Sequence, residues 1–363
     1  MNKLLPVLFT YFLINSLTVH AQVFISGEKS LITSAGEAKI SLNNIHLVNN
    51  GQMNLKSSQI KVRSTQGDIY LEGTQTPEVF HFELDTDAEL VLKSDLIVHG
   101  NFSLTNGSVD LTNHFLTLLN NESSLIGENA EKRILSSGDG EIIKYYTSEI
   151  SPNQNIGNLG LLFSSFEYRD TLTIRRGHTT LPIPFGESIT RYYKVRTRKN
   201  PEDKVDLGLT YFEDEVVVKD PGLEESIWVL NDGEWSSIKP TRPGYNKGNE
   251  FLIEAEVKIY ESIITVGLYR RLVDQDIIPT AFTPNNDGFN DKFIIPGIEK
   301  LPNAEVSIYD KFGRQVYSTK DYGLNPWDGV FNGKTLPYDT YQYQIVDPKN
   351  PLEFLEGLIS IIK

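Results

Sequence analysis

Cysteine is absent from this 363-residue chain. That excludes disulfides, a thiol nucleophile and a thiolate metal site. An exported protein of this length does without disulfides where its cores are large enough, and 39% hydrophobic residues supply two or three real cores. Basic residues are also scarce: 34 Lys and Arg stand against 48 Asp and Glu, a net charge of −14. With no Lys/Arg stripe to neutralise phosphates, nucleic acid is excluded as a partner. The chain contains no G-x-S-x-G, no P-loop, no dinucleotide glycine fingerprint and no H-E-x-x-H. His46, His81, His99 and His114 are scattered singly, which argues against metal chemistry through histidine.

Long apolar runs are lacking too, except at the start. Leu4 to Val19 is largely apolar behind Lys3, and Val19-His20-Ala21 suits a signal peptidase. Residues 1–21 are therefore expected to be a secretory signal, cut between Ala21 and Gln22. A membrane-spanning reading is weaker, because the run is shorter than ~20 apolar residues and holds Pro6 and Asn15. No Cys follows to carry a lipid, and the mature chain has no further spanning candidate. Cleavage removes Lys3, the segment's single charge, and takes the net charge from −14 to −15.

What is present is strand patterning. Over residues 22–135 apolar residues come in i, i+2 pairs, among them Ile40/Leu42, Ile60/Val62, Phe82/Leu84, Phe102/Leu104 and Leu116/Leu118. From Leu90 onward the pairs start six or seven residues apart, with Asn, Gly, Ser and Asp between them. Short strands with regular turns and no helical period point to a β-solenoid of about three strands per coil. A meandering sandwich is the alternative. A solenoid can carry a carbohydrate-cleaving site, but Asp85, Asp87, Glu89 and Asp95 alternate with apolar residues and read as a solvated face.

Ser136-Ser137-Gly138-Asp139-Gly140 opens a second region, residues 136–272, with the patterning of a β-sandwich. Arg175, Arg176 and His178 are its one site-like group. Arginine forks match carboxylates, so an acidic sugar is a candidate ligand. The favoured reading is structural: a turn at Gly177, His178 bonding backbone, and the arginines paired with Glu187 or Asp170. Trp228 and Trp235 bracket a hairpin turn, where aromatics either fill the core or stack on sugar rings.

Residues 276–363 read as a third, Ig-like β-sandwich. Val306 to Tyr317 forms a hairpin around Asp310-Lys311-Phe312-Gly313, Tyr341, Tyr343 and Ile345 make one aromatic-aliphatic face, and Trp327 is a core plug. Asn285, Asp287, Asn290 and Asp291 gather oxygens in the manner of a Ca²⁺ loop, although not at EF-hand spacing; an Asx-rich turn is the alternative. No other cofactor is indicated. The stretch from Ile277-Ile278-Pro279-Thr280 through Phe282-Thr283-Pro284-Asn285-Asn286-Asp287-Gly288, Asp310-Lys311-Phe312-Gly313-Arg314 and Trp327-Asp328-Gly329 to Tyr338-Asp339-Thr340-Tyr341 resembles the gliding-motility-associated C-terminal domain of Bacteroidota, the type B sorting domain of the type IX secretion system. The resemblance implies export to the outer-membrane surface or beyond, and recognition by the outer-membrane translocon and a dedicated membrane partner.

The expectation is an all-β exported protein: a short β-solenoid-like N-terminal region, a central β-sandwich and a C-terminal Ig-like β-sandwich. Its passenger is expected to be non-enzymatic, with an adhesion or structural role and surface glycans or proteins as partners. A carbohydrate-binding protein or a carbohydrate-active enzyme is the alternative.

Overall fold

The computed structural model describes residues 16–19, 23–26, 31–33, 36–163, 171–184, 186–197, 204–217, 224–247, 250–269, 273, 277–348 and 355–363. The chain is nearly all β, with 56% of residues in strands and 3% helical. It divides into two compact units, Met1–Lys219 with Glu225–Leu268, and Tyr269–Lys363 with Asp220–Glu224. Among the described residues no helix is long and apolar enough to cross a membrane.

The first unit begins as a β-solenoid of about five turns. Its strands pair in parallel between successive coils on three faces, as the pair spacing implies. Along one face Ile40, Ile60, Phe82, Phe102 and Leu125 are register partners in turn. A second face stacks Ile69, Leu90, Val109 and Ile134. A third stacks Val79, Val98 and Leu118. Each of these side chains is buried, so the interior is a set of apolar columns one side chain wide. The Phe82 and Phe102 rings lie 5.2 Å apart and 4° from parallel. Corners are tight: Gly73 sits at φ +131°, and a Cβ there would lie 2.0 Å from the Asn49 carbonyl oxygen of the coil before. Outside, the same registry stacks charge, with Lys61 bridging to Glu83 at 2.5 Å and Asp85 at 3.1 Å.

Ser16–Val19, which lies inside the expected signal segment, pairs in parallel with Lys39–Leu42. Ala21 and Gln22, at the expected cleavage point, lie outside the described residues.

The solenoid runs directly into the sandwich through the strand Glu141–Tyr146. Its residues Glu141 to Lys144 pair in parallel with Phe115–Leu118 of the last coil. Its other edge pairs antiparallel with Leu172–Gly177. Gly186–Thr197 and Glu261–Tyr269 extend that sheet. A second, five-stranded sheet of Gln154–Asn155, Leu161–Phe163, Val205–Phe212, Glu250–Val257 and Arg242–Lys247 completes the sandwich. One hydrophobic cluster runs without a break from Ile40 to Val266.

The second unit is a five-stranded sheet in the order Ala281–Phe282, Leu355–Ile361, Thr340–Val346, Glu305–Tyr309, Gln315–Thr319, with a two-stranded hairpin of Val330–Phe331 and Lys334–Thr335. The Val306–Tyr317 hairpin forms as expected. Trp327 is fully buried, its ring 5.4 Å from Phe282 and 5.2 Å from Tyr341.

Because each coil column is one residue wide, a truncation there has no neighbour to refill it. Phe102→Ala is expected to lower unfolding free energy by about 3–5 kcal/mol in a urea titration.

Candidate functional site

The strand Leu172–Gly177 separates the residues that the sequence groups together. Successive side chains of a strand point to opposite faces. Thr173 and Arg175 point outward, while Leu172, Ile174 and Arg176 point into the core. Arg175 and Arg176 therefore belong to different structures, and His178 goes with Arg176. Gly177 is not a turn residue: it lies in the strand, and a Cβ there would lie 2.0 Å from the Tyr192 ring.

The inward group is an ionic network between the last coil and the sandwich. Arg176, fully buried, holds both Glu128 carboxylate oxygens at 2.6 and 2.7 Å and donates to the Leu159 carbonyl at 3.3 Å. Its Nε donates to His178 Nε2 at 3.2 Å. Arg191 reaches Glu215 at 2.8 Å, and Arg133 reaches Asp214 at 2.5 Å. The arginines pair with Glu128 and Glu141; of the expected partners, Asp170 and the side chain of Glu187 lie outside what the structure describes. Burial pushes the Glu128 carboxyl up, but Arg176, Arg191 and the Ile134 amide outweigh it and hold it below its ordinary range. Burial first, then the guanidiniums of Arg176, Arg191 and Arg133, press His178 well below its ordinary value, so it is neutral. The Gly140 backbone opposes this shift, and the buried Nδ1 has no hydrogen-bond partner.

Lys144 performs a related task one strand away. In register it follows Leu118, at the end of the Val79–Val98–Leu118 column. A lysine thus occupies an interior position and is fully buried. Its ammonium donates to the carbonyls of Asn120, Asn121 and Ser123 and to the Ser123 hydroxyl, which are the corner of the last coil. Burial pushes it down to about 8, against the charge of Glu122.

The outward group lines a groove of about 540 Å³ on the exposed face of the sandwich sheet. Two cross-strand rows form its floor. One is Ile143, Arg175, Lys194 and Ile263; the other is Tyr145, Thr173, Arg196 and Glu261. The hairpin tip at Leu230, Asp232 and Gly233 forms one wall. Arg175 and Lys194 share Glu141, with Lys194 at 2.7 Å, while the Tyr192 hydroxyl donates to the same carboxylate at 3.0 Å. Arg196 is 74% exposed and 3.8 Å from Glu261. Trp228 is buried and Trp235 half-buried, their rings edge to face, so neither indole lies open on the surface. Sequence reading found Arg175 alone of these residues. The alternation in Glu141–Tyr146 and Gly186–Thr197 is the signal that would have found Tyr145, Lys194 and Arg196.

In the second unit the Asn/Asp loop is closed by its own hydrogen bonds. The Asp291 carboxylate accepts from the backbone N–H groups of Asn285, Asn286 and Gly288. Asp287 accepts from the Phe289 N–H at 2.8 Å and from the Asn285 side chain at 2.9 Å, which hold it below the usual carboxylate range. Asn286 and Asn290 adopt φ of +61° and +53°. The four expected metal-loop residues thus fold into an Asx-type turn. Among the described residues no cluster of three or more His, Cys, Asp or Glu could hold a metal ion.

Residues 277–360 match the family model described as the CHU_C type IX secretion signal domain, consistent with a type B sorting domain in a Bacteroidota protein. No curated protein and no solved structure matches the chain. A type IX signal domain implies export to the cell surface or extracellular space and interaction with the secretion machinery.

The buried network makes stability pH-dependent. A base whose folded pKa lies below its ordinary 6.5 binds fewer protons folded than unfolded, so the stability that His178 contributes is complete above pH 6.5 and lost as pH falls below it. Glu128 and Glu141, both lowered from 4.5, lose theirs at lower pH still. Unfolding free energies from urea titrations are expected to hold between pH 7 and 8 and to fall below 6.5 by up to about 1.4 kcal/mol per pH unit. His178→Gln should flatten the upper part of that decline.

Proposed function

We propose that this protein is type IX cargo whose passenger, the solenoid fused to its sandwich, serves a non-enzymatic adhesive or structural role at the cell surface. The family match over residues 277–360 carries the export half of this reading. The passenger half rests on a stacked, charge-laddered solenoid in which the charged and hydroxyl groups at Lys61, Glu83, Asp85 and Thr105 engage one another. The N-terminal signal belongs to the same proposal. Cleavage after Ala21 removes the Ser16–Val19 strand and leaves Lys39–Asn43 as an open coil edge.

A second reading is favoured by the groove. It would hold a surface glycan, with Tyr145, 39% exposed, as a stacking surface and Arg175, Lys194, Arg196 and Glu261 as hydrogen-bonding rim. Arg175 and Lys194 are matched by Glu141, and Arg196 lies beside Glu261, so a neutral sugar suits the groove better than a polyanion.

Localisation in a Bacteroidota host with a working type IX system tests the first reading. The full chain should reach the surface with Gln22 at its N-terminus, and a 1–275 chain should stay inside the outer membrane. Surface display of the truncated chain would overturn it. For the second reading, a glycan array probed with the wild type should show specific signals that Tyr145→Ala and Arg196→Ala abolish. An array blank for the wild type, or signals unchanged in both variants, would remove it.

A further inference from the structure

Three aromatic rings in the second unit stand in solvent: Phe289 is 80% exposed, Phe312 84% and Tyr338 65%. They are not spillover from a crowded core, because Phe282, Phe293, Trp327, Tyr341 and Tyr343 fill the interior with ring contacts of 5.2–6.4 Å.

All three occur at one end of the sheet. Glu305–Tyr309 runs toward that end, and Phe312 is in the turn that follows. Thr340–Val346 runs away from it, with Tyr338 just before its start. Lys311, beside Phe312, bridges to Asp339, beside Tyr338, at 2.8 Å. Leu355–Ile361 returns to the same end, where the Ile361 N–H donates to the Asp339 carbonyl. Phe282 is the parallel partner of Ile361, so the loop of Phe289 leaves from there too. Thr283 ties that loop down through its N–H to Asn290 and its hydroxyl to Phe289.

The two phenylalanines are held alike. Asp287 accepts the Phe289 N–H at 2.8 Å, and Asp310 accepts the Phe312 N–H at 3.0 Å. Each is an Asp-x-Phe turn in which the carboxylate fixes the backbone that presents the ring. Asp291 adds three further backbone hydrogen bonds, and Asp310 also pairs with Arg314 at 2.9 Å. Exposed aromatics on rigid supports, ringed by charge, are the composition of an interface hot spot, because little conformational freedom is left to lose on binding. At 150–250 Å² per ring, three supply on the order of 500 Å², most of the roughly 800 Å² that one partner buries in a standard interface.

We propose that Phe289, Phe312 and Tyr338 form the face of the signal domain that a protein of the type IX machinery reads, by seating the three rings in apolar pockets. The inference rests on the type IX reading above: all three residues lie within the matched 277–360 segment, whose task is to be recognised.

The test uses the full chain in a Bacteroidota host with a working type IX system, with surface display measured by protease access to intact cells. Phe289→Ser/Phe312→Ser/Tyr338→Ser is expected to lower display roughly tenfold or more, as loss of a hot spot does. Leu324→Ser/Leu358→Ser, at comparably exposed positions outside these turns, should display as the wild type does. Normal display of the triple variant beside a retained 1–275 chain would overturn the aromatic face and leave the sorting reading intact. Display of the 1–275 chain would overturn both. A photo-crosslinking phenylalanine analogue at position 312, and at 324 as control, makes the test independent of folding. An adduct with an outer-membrane type IX component from 312 and not from 324 is expected. Adducts only with a second copy of this chain or with lipid, or no adduct, would overturn the proposal.

Discussion

The strand Glu141–Tyr146 carries two incompatible neighbours, and the first unit depends on that. Parallel ladders space their hydrogen bonds evenly and slant them, whereas antiparallel ladders alternate close and wide pairs. A strand that accepts one pattern on each edge ends the solenoid and starts the sandwich without a linker. It also closes the last coil, whose free edge would otherwise be a template for pairing with another chain. The interior columns need the same closure, since the terminal repeat of a stack has no neighbour to cover its apolar end. Lys144 supplies it at the end of one column: its methylene stem continues the apolar stack from Leu118, and its ammonium gathers the carbonyls of the final corner.

The charged network beside that strand is better understood as alignment than as net stabilisation. Burying ion pairs costs desolvation that their attraction only partly offsets, while removing one partner leaves an uncompensated charge at a cost of about 3–5 kcal/mol. Arg176–Glu128 joins the sandwich strand to the last coil, and Arg133 reaches from the coil to Asp214. Sliding the sandwich along the coil by one residue would break these pairs together. An apolar contact would tolerate such a slip; a bidentate guanidinium–carboxylate pair does not.

Much of this was legible in the sequence because both the solenoid and the signal domain obey period-two patterning. Each i, i+2 pair from Ile40/Leu42 to Leu116/Leu118 is buried, and Tyr341, Tyr343 and Ile345 face the core as their alternation implies. Legibility fails where meaning depends on a partner distant in the chain. Arg175-Arg176-Gly177-His178 looked like one patch because its residues are adjacent, but strand parity sends Arg175 to the groove and Arg176 to the core. Its partner Glu128 is 48 residues away and gives no local signal. Lys144 was invisible for the same reason, since only the coil registry turns a lysine in a strand into a column cap. The oxygens of Asn285–Asp291 read in sequence either as an ion loop or as an Asx turn, and only the three-dimensional placement shows which backbone N–H groups the Asp287 and Asp291 carboxylates accept.

The two units also treat surface aromatics differently, and this separates their roles. Among the described residues of the first unit, the large rings at the surface are mostly covered: Tyr145 and Phe80 are 39% and 36% exposed. In the second unit Phe289 and Phe312 are exposed to 80% and more on turns whose carboxylates hold the backbone fixed. Nothing within the fold is gained by such placement, because a polar residue at either tip would accept the same Asx turn without putting a ring in water. An exported protein must also cross the periplasm without self-association. A few rigid rings set among charges, rather than a continuous apolar face, keep a recognition surface compatible with that passage.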